Sequence, residues 1–175
     1  ACYRPESQST SLNITPGSAA VLGQSLGGGT VACLGGAPYL NLIAASTDAL
    51  QSLIEWGGVN TDVPNAQSVF DGATNTANIV ATLTPATQAI NTYAAGICSE
   101  YTSGGYTDWF LPAQNQLDCL CANQVVVGGF AAGNYWSSTD FDQLYARYQN
   151  FPDCGQFFME KDIGLRVRCV RALTL

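Results

Sequence analysis

The chain has 175 residues, enough for one domain with a full core and short for two. Only 11% of them are charged and the net charge is −7, a balance that disfavours nucleic acid and anionic membrane as partners. There is no histidine, which excludes Ser-His-Asp and Cys-His nucleophilic catalysis and His-based metal sites.

Seven cysteines are dense for a cytosolic protein of this size and read better as secreted or periplasmic. Their odd number leaves at least one outside any internal pairing. No run approaches the ~18 apolar residues that span a membrane. No leader is visible, so the chain reads as a mature form or an excised domain. Cys2 follows a small residue, Ala1, and is either a lipid-anchor site or a disulfide cysteine.

Residues 1–29 are polar and then Gly-rich, an arm ending in a loose turn, and 30–175 form the domain. Residues 30–34 (TVACL) and 39–45 (YLNLIAA) predict two strands of a hairpin around Gly35-Gly36. Loop follows to residue 73, with room for one short strand around Ile54-Glu55-Trp56-Gly57-Gly58. Ile79 and Leu83 have helical spacing up to Pro85. In residues 87–101, Ile90, Tyr93, Ala94, Ile97 and Tyr101 line one face of an amphipathic helix, with Cys98 on its last turn. A second helix is predicted over 113–123, after Pro112, with Leu117, Leu120 and Cys121 inward. The last third reads as four strands, 135–139, 144–151, 155–159 and 165–172. Alternation in the last of them turns Leu165, Val167 and Cys169 to the core. Strands and helices are segregated, so the fold class is α+β.

Catalytic and metal signals are weak. Cys119-x-Cys121 is too tight for a zinc or redox Cys-x-x-Cys pair. The acidic pairs Asp140/Asp142 and Glu160/Asp162 fit no calcium-loop pattern and read as solvated surface charge. No cofactor and no metal is expected.

Several motifs recur in a familiar order. They are Val31-Ala32-Cys33-Leu34-Gly35-Gly36, Ile54-Glu55-Trp56-Gly57-Gly58, Asp71-Gly72 with Asn75-Thr76, and Thr107-Asp108-Trp109-Phe110-Leu111-Pro112. Tyr135-Trp136-Ser137-Ser138-Thr139 and Val167-Arg168-Cys169-Val170-Arg171 complete the set. Together they resemble the Lcl C-terminal domain family, named for a collagen-like bacterial adhesin. The resemblance implies a C-type-lectin-like fold, two helices packed on a twisted antiparallel sheet with the chain ends together. It implies a bridge from a helix cysteine to the last strand, Cys98 to Cys169. It also implies surface display, ligand binding, and a monomer or trimer. The chain has no Glu-Pro-Asn, Gln-Pro-Asp or Trp-Asn-Asp triplet, so calcium-dependent sugar coordination is not expected.

The last third holds five of the six basic residues and many aromatics, the side chains recognition surfaces favour. With Ala146 and Tyr148 inward, Tyr145, Arg147 and Gln149 point out. Phe157 and Phe158 are neighbours on a strand, so at least one is exposed. Asp142, Asp153 and Arg166 complete the expected ligand-binding set, while Arg168 and Arg171 belong to the scaffold. The expected partner is a host or bacterial surface protein, or a glycan. A trimeric glycan-binding adhesin is one alternative and a relative of formylglycine-generating oxidases, which need a C-terminal cysteine pair, is another. Some C-type-lectin-like proteins are targets of diversity-generating retroelements, which rewrite Asn codons in a C-terminal cassette. Between Trp136 and Val167 the Phe, Tyr, Asp, Leu, Ile, Cys and Arg residues are reachable from an Asn codon through its first two bases. Gln156, Met159, Glu160 and Lys161 are not.

Overall fold

The structure, a computed structural model, describes residues 19–36, 41–86 and 88–174. Cys2 and most of the expected arm lie outside them. Among the described residues the fold is α+β, with four α-helices and two antiparallel sheets. One sheet carries β1 (Ser25–Leu26), β2 (Gly29–Cys33), β3 (Leu42–Ala44) and β7 (Val170–Ala172), in that spatial order. The other carries β4 (Gly133–Asp140), β5 (Tyr145–Phe151) and β6 (Gln156–Glu160), with β6 at its edge. The helices are α1 (Gly72–Ala86), α2 (Ala94–Ser99), α3 (Gln114–Ala122) and the single turn α4 (Gln124–Val127).

Four local readings of the sequence are corrected. Residues 25–29, taken as loose turn, form a tight hairpin. Gly27 and Gly28 have φ of +58° and +83°, the left-handed pair that a two-residue turn needs. The strand expected over 39–45 is observed as Leu42–Ala44, and residues 39 and 40 lie outside the described set. The long helix expected from residue 87 is absent over its first half. Tyr93 is extended at φ −144° and ψ 157°, because its buried ring drops into the core and its hydroxyl shares a hydrogen bond with Thr84 Oγ1 at 2.6 Å. The helix starts after it. The last predicted strand is also shorter. Leu165 bridges Ile54 and Arg166 bridges Tyr135, and only residues 170–172 form a ladder, with β3 in the other sheet.

The motif polar residues are buried cross-links. Thr76 Oγ1 accepts from Leu111 N–H at 3.0 Å, and Asn75 Nδ2 donates to Ser68 O at 2.6 Å. Gln116 Oε1 accepts from Ala113 N–H at 2.9 Å and from Gly72 N–H at 3.1 Å. One side chain thus occupies donors at the N-termini of both α3 and α1, which would otherwise be orphaned. Two indoles exchange partners across the core. Trp56 Nε1 donates to Ser137 O at 2.8 Å and Trp136 Nε1 to Ile54 O at 2.9 Å.

Three disulfides use all six described cysteines: Cys33 with Cys119, Cys98 with Cys169, and Cys121 with Cys154. Cys98 and Cys169 are fully buried, with Cα atoms 5.3 Å apart. Cys2 therefore has no cysteine left to pair with inside the chain. The C-terminal strand is held a second way, since Arg171 donates to both carboxylate oxygens of Asp108, at 2.7 and 2.9 Å.

Two outcomes test this account. Replacing Cys98 and Cys169 by Ala opens a bridge spanning 71 residues. The chain-entropy relation gives a loss of about 4 kcal/mol, read as the shift in a denaturant unfolding curve. The hydrogen bonds from Arg171 hold the Asp108 carboxyl below the usual carboxylate range. Its pairing therefore adds stability above the unfolded carboxyl pKa of ~3.9 and loses it as pH falls through the folded value. Asp108→Asn is expected to flatten the acid limb of the unfolding temperature against pH. The change is small, because the carboxylate is more than half exposed.

Candidate binding surface

The β4–β5 hairpin turns at residues 141–144. Asp142 Oδ1 accepts from the N–H groups of Leu144 and Tyr145, each at 2.8 Å. This carboxylate builds the turn, as Asx turns do. The turn presents Phe141, which is 44% exposed. On β5, strand alternation puts Tyr145 and Arg147 on the same face as Phe158, the residue opposite Arg147 on β6.

These side chains interlock. The Phe141 and Phe158 rings stack with centroids 5.0 Å apart and planes 5° from parallel. Tyr145 meets Phe158 edge-on at 5.5 Å. The Arg147 guanidinium lies 4.4 Å from the Phe141 centroid and 6.0 Å from that of Phe158. Phe158 is nevertheless 50% exposed. The result is a preorganised aromatic face carrying one cation. The other described bases of the last third are engaged with carboxylates: Lys161 with Asp140, Arg166 and Arg168 with Asp48, and Arg171 with Asp108. Among the described residues Arg147 has no such partner.

Beneath this face lies a buried ion pair. Lys161 Nζ sits 2.8 Å from Asp140 Oδ1, and both side chains are fully buried. Lys161 also donates to Thr61 O at 2.9 Å and lies 4.6 Å over the Trp56 ring. Asp140 accepts from Val63 N–H at 3.1 Å and Phe141 N–H at 3.0 Å. Burial pushes the Asp140 carboxyl above its ordinary range, against the pull of the Lys161 hydrogen bond. Asp140 was expected on the solvated surface. The loop around residues 61–66 covers it, which sequence spacing does not show. The pair fixes the residue before Phe141 and the residue after β6.

The expected ligand-binding residues therefore separate. Tyr145, Arg147 and Phe158 converge, with Asp142 shaping the turn beside them. Gln149 does not belong there. It shares their strand face, but it is buried, and its Nε2 donates to Asp118 Oδ1 at 2.8 Å and Cys154 O at 3.1 Å because α3 covers that end of the sheet. Phe157 is 53% exposed on the opposite face, against Tyr148. Asp153 is exposed in the β5–β6 turn, at the other end of the strands. Arg166 lies apart, 3.5 Å from Asp48, beside a recess of about 240 Å³. Phe141 was not in the expected set. The signal for it was an aromatic residue next to an Asp-initiated turn.

Among the described residues no group of three or more His, Cys, Asp or Glu side chains could hold a metal ion, and no helix is long and apolar enough to cross a membrane. Asp140→Asn is expected to leave the Lys161 charge buried without its counter-charge. The cost is about 3–5 kcal/mol of stability, measured by denaturant unfolding.

No protein-family model matches the chain. No curated protein matches it either. Among solved structures, a fimbrial protein from Bacteroides ovatus ATCC 8483 is similar with 13% sequence identity and a TM-score of 0.48. The match covers 76% of this chain and 36% of that one, so the chain spans about a third of that protein's length.

Proposed function

We propose that this chain is an exported, non-catalytic ligand-binding domain of C-type-lectin-like type, related to the Lcl C-terminal domain family. It takes its ligand on the surface made by Phe141, Tyr145, Arg147 and Phe158. The observation that carries this is the convergence of four partly exposed recognition-type side chains on one face of the β4-β5-β6 sheet, held by a buried ion pair. Three disulfides support export, since such bonds persist in oxidising compartments.

The favoured ligand is a host or bacterial surface protein. A surface with one cation, Arg147, that has no carboxylate partner among the described residues suits an apolar or mildly acidic protein patch better than a sulfated polysaccharide, which needs several. A glycan is the second reading, because the partly exposed rings of Phe141, Tyr145 and Phe158 offer apolar surface against which a sugar ring can pack. An oxidase chemistry based on Cys154 and Cys169 is disfavoured, because each is bonded to a different cysteine. Retroelement diversification is part of the proposal. Phe141, Tyr145, Arg147 and Phe158 are all reachable from an Asn codon, whereas the buried Lys161 is not. An adenine-rich template copy beside the gene is its test.

Binding of the intact domain to arrays of host and bacterial surface proteins and of glycans tests the main reading. The Phe141→Ala, Arg147→Ala, Phe158→Ala variant is expected to lose about 30-fold or more in affinity for the captured ligand, the ~2 kcal/mol scale of an interface hot spot. Equal binding by both proteins rules the surface out.

A further inference from the structure

The edge of the β4-β5-β6 sheet carries information that the ligand surface does not use. Among the described residues β6 pairs with β5 alone. The ladder alternates, and its ends fix the phase. Lys161 N–H donates to Leu144 O, and Asn150 N–H donates to Gly155 O, both at 2.8 Å. Backbone groups at 155, 157, 159 and 161 therefore point to β5, and those at 156, 158 and 160 point away from the sheet. That outward row is a template for another strand. It carries few of the usual protections. The strand Gln156–Glu160 has no Pro, no Lys and no bulge, one charge, and two phenylalanines about half exposed on its two faces.

We propose that β6 pairs antiparallel with β6 of a second copy of this chain, about a two-fold axis through Phe158. The sequence of the strand selects this register. Centring on Phe158 pairs all five strand residues with strand residues and uses the outward groups of 156, 158 and 160. Phe158 meets the second copy's Phe158, Gln156 meets Glu160, and Phe157 meets Met159. Every apolar residue then faces an apolar one, and the carboxylate faces an amide that can donate to it. Centring on Glu160 would set two carboxylates face to face. Centring on Gln156 would run the strand onto the 152–155 turn. The chosen register joins the two sheets into one of six strands. It also places the two Phe141/Arg147/Phe158 clusters side by side as one continuous aromatic face. Ligand binding would then be bivalent across the two-fold axis. Because each chain carries −7, association strengthens as salt screens the repulsion.

Sedimentation velocity on the intact, oxidised domain across the micromolar range tests this. Wild type is expected to be a dimer that tightens with added salt. Phe158→Pro removes an outward N–H that the β5 ladder does not use, and is expected to be monomeric with unchanged far-ultraviolet circular dichroism. Phe141→Ala with Arg147→Ala is expected to stay dimeric while losing ligand, so failure of the pairing and failure of the ligand surface are distinguishable. Should Phe158→Pro not fold, cross-linking replaces it. In a Cys2→Ser background, Phe158→Cys is expected to form an interchain disulfide and Glu160→Cys is not. A monomeric wild type, a dimeric folded Phe158→Pro, or cross-linking through position 160 in place of 158 overturns the proposal. A monomeric wild type would leave the edge to a strand from a different protein.

Discussion

The buried Asp140–Lys161 pair is the constraint on which the display end of the molecule depends. Such a pair adds little net stability, because the attraction roughly repays the removal of two charges from water. Its force lies in what it forbids. Any arrangement that separates the two groups leaves one charge in an apolar core. Asp140 ends β4 and Lys161 follows β6, so both outer strands of the sheet are fixed at the same level. The loop donors and acceptors at Val63 and Thr61 then tie that level to a segment far away in sequence. The exchanged indole bonds of Trp56 and Trp136 repeat the connection one layer deeper. The pair thus gives Phe141, at the β4–β5 turn, and Phe158, on β6, a common base.

The basic residues show how a raw count of charges is divided by the fold. Arg168 lies fully buried over the Phe130 ring and donates to Asp48 and to the carbonyls of Ala45, Gly128 and Gly129. Arg166 shares Asp48, and Arg171 clamps the last strand to Asp108. The same Asp48 accepts from the Tyr135 hydroxyl, whose pKa burial pushes up to about 12. These groups organise the interior. Arg147 alone in this set is left to a pair of aromatic rings.

Much of this was legible along the chain. The period of α3, the inward face of the terminal segment and the exposure of the β6 phenylalanines follow from local spacing. Parity on β5 correctly placed Tyr145 and Arg147 together, yet it failed for Gln149. Alternation tells which face a residue takes and not whether a helix lies over that face. Asp140 looked like ordinary surface charge for the same reason, since the loop that buries it is distant in sequence. The break in helix periodicity at Tyr93 was invisible because its cause, the reach of one ring into the core, is tertiary. The pairings of Cys33 and Cys121 depend on α3 packing between β2 and the β5–β6 turn, which spacing does not encode.

Those two pairings have a mechanical consequence. Cys119 and Cys121 are two residues apart on one turn of α3, and they are bonded in opposite directions, to Cys33 on β2 and to Cys154 at the tip of the β5–β6 hairpin. Tension entering through β2 and leaving through that hairpin runs along a covalent line of two bridges and three residues of helix. The chain enclosed between the bonded cysteines, with separations of 86 and 33 residues, cannot be drawn out by that load. A load applied between β2 and the β5–β6 turn would thus extend this part of the domain very little before a bond, rather than a fold, had to break.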